Sequence, residues 1–501
     1  MKLRKEEFVT GHDGSNSPFE IIWICSSIIW SCWCYMELLL LLGNRSCGKS
    51  SSSLSSFRLC RRILLESIII WFPMVLVQTN YLYPYGCILM IFQIILASIL
   101  TFRRRRRNES GNNSDDDNND SNNLNYVTLY RSTIYYLTFV AILAVDFELF
   151  PRKLCKTEIH GYGFMDVGAA SFVISSGIIQ GKSYVFVNHN KKLSSSTGVS
   201  WYTLFKPLRN AMPLIIIGIL RCILNKEIDY QEHVTEYGLH WNFFFTLGVL
   251  AIIPTIRKQC ILLSGSKFIL SSPRRSSLVV VVPRSSQEEE EEGAAVMNSS
   301  IVYDFFRGNR EGILGCIGYI FLHSCGELIG QYYIFNNVHD SNVDSGSGSG
   351  SITILLWILH FGIEYLFQFT VSRRTTNLSF CLWSLAHNIT LLWSFKTLLL
   401  VLTTNLTNNT CQSIQNMNII PIGMNLINQY GLISFLIANL MTGFINLMIP
   451  TIDISDPIAI WIVYIYICSI SVVVLLYDKL MLSMSHNKST TVKLKLKKKN
   501  E

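Results

Sequence analysis

Apolar runs recur along most of the chain, with short polar stretches between them. "SIIIWFPMVLV" (67–77) and "WIVYIYICSISVVVLLY" (461–477) are two of them. A helix needs about 20 mainly apolar residues to cross a bilayer. Segments of that kind fall at roughly 20–43, 62–79, 81–101, 128–147, 164–181, 205–225, 240–257, 311–335, 351–371, 377–403, 427–451 and 457–480. Residues 258–283 hold two shorter apolar pieces broken by "PRR", a weaker thirteenth candidate. The pattern predicts an all-α fold, a polytopic transmembrane helical bundle of about 13 spans.

The polar stretches change the picture in two ways. "NESGNNSDDDNNDSNNLN" (108–125), "SSQEEEEEG" (285–293) and "DSGSGSGS" (344–351) are low-complexity inserts that cannot add to a core. They interrupt one multi-span membrane domain, 1–501, and a basic tail occupies 481–501. Lys and Arg set the orientation, because cytosolic loops are enriched in them. Arg45, Lys49, Arg58 and Arg61 mark one loop, Arg103 to Arg107 a second, and Lys182, Lys191, Lys192 and Lys206 a third. These alternate loops share the cytosolic side, so the N-terminus is expected in the lumen. The lysine-rich tail belongs in the cytosol, and that pairing of ends requires an odd number of spans. Residues 258–283 are therefore expected to span the membrane or to re-enter it.

Composition agrees with a membrane protein. Half the residues are hydrophobic and 15% are charged, against about 25% charged in soluble domains. The formal charge of +8 is concentrated in "RRRRR" and the tail. Basic clusters beside apolar spans mark the cytosolic face, so no nucleic-acid partner is expected. The 14 cysteines are scattered, which argues neither a disulfide framework nor a zinc site. The sequence carries no nucleophile elbow, P-loop or dinucleotide fingerprint.

Four polar patches share the lumenal side of this topology: 144–168, the stretch "EIDYQEHVTEYGLHWNFF", "RGNREG" (307–312) and "SRR" (372–374). Arg152, Lys153, Lys156, Arg373 and Arg374 run against the positive-inside bias, which suggests that function placed them. Asp146 ends the apolar run "YYLTFVAILAVDF"; a carboxylate at membrane depth is costly and points to a functional site. Lys156, ten residues on, is its candidate partner. Glu232, Glu236 and His240 follow i,i+4 spacing and would share one helix face, with His233 beside them. No metal site is expected there. His323, His360 and His387 lie inside apolar spans and read as packing residues.

"LRKEEFVTG", "AILAVDFELFPRKLCKTEIHGYGFMDVGAASFVISSGI", "YQEHVTEYGLHWNFF", "NREGILGCIGY", "SRRTTNLSFCLW" and "LIANLMTGFINLMIPTID" resemble, in order, the motifs of the PIG-W family, whose fungal members are called GPI-anchored wall transfer protein. The resemblance implies a multi-pass acyltransferase of the endoplasmic reticulum. It would move a fatty acyl chain, typically palmitoyl, from acyl-CoA to the inositol 2-hydroxyl of glucosaminyl-phosphatidylinositol, with no cofactor beyond that co-substrate. The ending "KKNE" resembles the dilysine retrieval signal of the same membrane. The family's catalytic aspartate and lysine match Asp146 and Lys156. On this reading Asp146 removes the hydroxyl proton, Lys156 orients it or stabilises the oxyanion, and His240 is the rival base. Arg310, Arg373 and Arg374 would grip phosphates. Asp166, Glu232, His233, Glu236, Trp241, Asn242 and Phe243 would line the polar end of a pocket whose other end is lipid. The alternative is a lipid or solute transporter or flippase of that membrane, for which the usual internal repeat is not visible.

Overall fold

The computed structural model describes residues 14–43, 52–108, 125–191, 201–228, 241–252, 308–335, 347–404 and 420–500. Among the described residues the regular structure is helical, apart from one isolated bridge between Ser15 and Tyr162. Nine described helices are long and apolar enough to cross a membrane, and each coincides with an expected span. They lie in α1 (Pro18–Gly43), α4 (Gly86–Asn108, preceded by a 3-10 turn), α5 (Asn125–Ala144), α6 (Phe164–Lys191), α9 (Arg310–Ile329), α10 (Ser347–Phe367), α11 (Leu378–Thr404), α13 (Gly431–Met448) and α14 (Asp456–Asn500).

Three further expected spans are helical but differ in form. The segment at 62–79 runs as α2 (Ser52–Glu66), a π turn (Ser67–Trp71) and α3 (Phe72–Val77). Pro73 lies near the start of α3 and has no N–H to bond the preceding turn, so the ladder slips by one residue there. The segment at 205–225 is α7 (Trp201–Ile228), with Pro207 and Pro213 inside it. The segment at 240–257 is a shorter apolar helix, α8 (Phe243–Ile252). The thirteenth candidate, 258–283, lies outside the described residues, as do Glu232, His233, Glu236 and His240.

The chain divides into two compact units: residues 1–16 with 155–389, and residues 17–154 with 390–501. In the first unit α6 and α9 are the main packed pair. Their crossing is built from reciprocal glycines one turn apart, Gly177 and Gly181 on α6, Gly326 on α9 and Gly330 at the start of the π turn (Gly330–Phe335) that continues it. A Cβ on Gly181 would stand 2.6 Å from the Glu327 carbonyl oxygen, and one on Gly326 would stand 2.5 Å from that of Ile174. In a bilayer apolar burial does not drive helix pairing, so close backbone approach between small residues supplies the attraction.

In the second unit α5 is the buried helix, packed by α12 (Ile422–Gln429), α13 and α14. Tyr136 meets Ser471 at 2.9 Å, and Tyr466 donates to the Ala438 carbonyl at 3.1 Å. The buried Glu66 carboxylate accepts the backbone N–H groups of Gly423 (3.0 Å) and Met424 (3.2 Å). It thereby satisfies the otherwise bare N-terminus of α12.

Between α1 and α4 the Arg104 Nε sits 2.7 Å from Glu37 Oε2, and both side chains are buried. Thr101 and Trp33 donate to the same carboxylate. Glu37→Ala would leave a buried, unmatched guanidinium, a loss on the order of 3–5 kcal/mol. Thermal unfolding of the detergent-solubilised protein should show that loss. Removing both charges together, as Glu37→Leu with Arg104→Met, should cost much less.

Candidate active-site residues

Asp146 lies in the turn that ends α5, within the second unit, and is 4% exposed. Its backbone N–H returns to the Leu143 carbonyl, and Phe147 returns to Ala144, so the last helical turn tightens there. Asn446 on α13 donates to Asp146 Oδ2 at 2.7 Å and fixes one face of the carboxylate. Arg152 folds back over the same turn and donates to the carbonyls of Val145, Phe147 and Phe150. Asn80 holds the turn from the other side through the Glu148 and Leu149 carbonyls. Arg152, one of the charges expected to run against the positive-inside bias, clamps the turn that carries Asp146.

Lys156 belongs to the first unit and is exposed. It stands in the loop "CKTEIHGYG" (155–163), whose backbone is tied down along its length. Thr157 donates both its N–H (3.0 Å) and its hydroxyl (2.7 Å) to Asp166 Oδ2. Arg373 Nε pairs with the other Asp166 oxygen at 2.7 Å. Ser372 donates to the Ile159 carbonyl, Gly161 N–H to that of Val371, and Ser15 N–H to that of Tyr162. The Tyr162 hydroxyl donates to Glu364 (2.7 Å) and meets His360 Nε2 at 2.9 Å. Burial, and then the Glu364 carboxylate, hold that hydroxyl well above the ordinary tyrosine range, so it stays neutral.

Two backbone features depend on this packing. Gly161 has φ +128°, and Thr376, in the turn beyond Arg373, has φ +47°. A β-branched residue at positive φ is a strained outlier that only a fixed surround sustains. A Cβ on Gly163 would collide with the Asp166 carboxylate and come within 2.9 Å of the Cys155 carbonyl oxygen. Gly163→Ala should therefore push Asp166 off Thr157 and cost about 1–3 kcal/mol, the scale of overpacking. A lower thermal midpoint with a normal helical signal would record it.

All four expected polar patches place described residues in the first unit. Asp166 and Arg373 are partners in one buried ion pair, and Arg374 pairs with Glu311 while Arg310 beside it is exposed. From the fourth patch only its last residues are described. Asn242 caps α8, accepting from the N–H of Phe244 and Phe245, and donates to the Gly218 carbonyl of α7 at 2.9 Å. Trp241 donates to Thr246, and Phe243 lies against Tyr319. No group of His, Cys, Asp and Glu side chains fit to hold a metal occurs among the described residues.

The sequence reading missed Asn446, Thr157 and the Tyr162–His360–Glu364 cluster. For Asn446 and for His360 with Glu364 there was a signal, polar residues inside apolar helices, the latter two at i,i+4. Nothing in the sequence tied Thr157 to Asp166.

The fold and these residues define a polytopic all-α membrane protein, with the Asp146 carboxylate buried at the end of α5 and a polar loop tied to Asp166 and Arg373. The chain belongs to the GWT1 family, whose sequence profile matches residues 1–477. It is similar to GPI-anchored wall transfer protein 1 of Aspergillus oryzae, 32% identical over 378 residues, covering 72% of this chain and 73% of that one. The Saccharomyces cerevisiae protein of the same name is 31% identical over 388 residues, covering 71% and 74%. The Candida glabrata protein is 30% identical over 381 residues, covering 70% and 73%.

Proposed function

We propose that this protein is an acyltransferase of GPI-anchor biosynthesis in the endoplasmic reticulum membrane. It moves a fatty acyl chain, palmitoyl by resemblance, from acyl-CoA to the inositol 2-hydroxyl of glucosaminyl-phosphatidylinositol. The carrying observation is the buried Asp146 carboxylate at the end of an apolar helix, oriented by Asn446. A secondary alcohol attacks a thioester only as its proton leaves, and a carboxylate shielded from water is a competent acceptor for that proton. Asn446 donates to Oδ2 and orients the carboxylate for that role.

The attack forms a C–O bond and places negative charge on the former carbonyl oxygen. That charge needs a cation or hydrogen-bond donor, and the proposal gives the task to Lys156. Collapse then expels the CoA thiolate, which takes up a proton. The CoA molecule leaves as the free thiol and the inositol carries the ester. No protein nucleophile is required. His240 remains the rival base, and Arg310 a donor for a substrate phosphate. The lumenal N-terminus and cytosolic C-terminus are part of the same proposal.

An acceptor whose inositol 2-hydroxyl is methylated tests the assignment of the accepting atom. It should receive no acyl chain while the parent acceptor is acylated. Equal acylation of both would move the reaction to another hydroxyl.

A further inference from the structure

The basic end of α4 has two unlike sides. One is buried: Arg104 pairs with Glu37 and donates to the Leu402 carbonyl, and Thr101 donates to the same carboxylate. The other is exposed and carries an open groove of about 610 Å³. Ile95, Ile99 and Phe102 line it as one helical stripe, and Arg103 and Arg106, one turn apart, close its end. The Ser98 hydroxyl turns back to the Ile94 carbonyl, so the wall before the arginines stays apolar. Neither Arg103 nor Arg106 has an ion-pair partner among the described residues, and Glu37, the acid that reaches this end of α4, is already matched by Arg104.

We infer that this groove binds one anionic phospholipid, with the headgroup phosphate between Arg103 and Arg106 and an acyl chain along Ile95, Ile99 and Phe102. Any acyl chain would cover the isoleucines. That alone does not account for two guanidiniums without an acid at the point where the apolar stripe ends. A lipid phosphate carries the missing charge, and a guanidinium meets it with paired donors. The dimensions agree. Arg103 lies nine residues beyond Ile94, about 14 Å of helix, close to the roughly 15 Å hydrocarbon depth of one leaflet. A lipid standing in the leaflet at the basic end of α4 brings its phosphate level with the arginines while its chain lies in the groove. Basic clusters at the cytosolic end of a span recognise acidic lipids in this way. The buried Glu37–Arg104 pair holds the helix, so the two exposed arginines are presented from a fixed backbone. The site does not depend on the acyl-transfer reading.

In the test, delipidated full-length protein is titrated with phosphatidylserine or with zwitterionic phosphatidylcholine in one detergent, and bound lipid is counted by native mass spectrometry. The wild type should hold phosphatidylserine in preference to phosphatidylcholine, and added salt should erode that preference. Arg103→Gln with Arg106→Gln should weaken phosphatidylserine binding about thirtyfold, the scale of two arginines at an anionic surface. It should leave phosphatidylcholine unchanged. Ser98→Trp fills the groove and keeps both arginines, and it should weaken phosphatidylserine binding as well. All three positions are exposed and lie on the side away from the Glu37–Arg104 pair, so the thermal midpoint without lipid should stay that of the wild type. Equal retention of the two lipids by the wild type would overturn the site, and so would a double variant that binds phosphatidylserine like the wild type. Undiminished binding by Ser98→Trp would mean a surface attraction that needs no groove and would overturn the inference too. Displacement of bound phosphatidylserine by free CoA, which has phosphates and no acyl chain, would overturn it by assigning the arginines to a soluble phosphate ligand.

Discussion

Asp146→Asn should lower acyl transfer at least about 100-fold, the usual scale of help from a positioned base. Asparagine keeps the size and shape of the side chain. Its amide oxygen still accepts from Asn446, so the turn at the end of α5 should hold. The Arg152 and Asn80 contacts go to backbone carbonyls and do not depend on the carboxylate. The variant should therefore accumulate normally and bind acceptor with little change, and the loss should fall on kcat. A variant with near-normal turnover would remove Asp146 from proton transfer and hand that role to His240.

The second large effect concerns the scaffold of the other unit. Gly326→Val should separate α6 from α9, because its side chain would have to occupy space already held by the Ile174 backbone. Backbone cannot give way as a flexible side chain can, so the helices must move apart along the whole crossing. The loss should exceed the 1–3 kcal/mol typical of overpacking, and little folded protein should be recovered from membranes. Gly362 is the contrasting position, since a Cβ there would meet nothing within 4 Å. Gly362→Ala should leave the yield unchanged. Equal recovery of the Gly326→Val and Gly362→Ala proteins would mean that the crossing is looser than its glycines indicate.

The helices were legible in the sequence because continuous apolar runs of span length have few other solutions. The limits of that reading are equally physical. Pro73 marks a break in the segment at 62–79 without specifying a π turn, and Pro207 and Pro213 do not stop Trp201–Ile228 from running as one helix longer than the expected span. Asp146 was legible as a carboxylate at a helix end, but its partner was not. Asn446 lies 300 residues away in sequence, and only the packing of α13 against α5 brings it near. Asp166 and Arg373 stand among the residues expected to bind substrate. Their pairing with each other shows a second use for such charge, holding a loop whose exposed residues meet solvent. Sequence spacing cannot separate the two uses, since both place ionisable residues at helix ends.

The most direct test is acyl transfer by the purified protein. Full-length protein in detergent or nanodiscs is given palmitoyl-CoA and glucosaminyl-phosphatidylinositol, and the lipid product and free CoA thiol are measured together. The account predicts one added acyl group on the inositol ring for each thiol released, and almost none with Asp146→Asn. Intact acceptor and no thiol release from folded, acceptor-binding wild-type protein would contradict it.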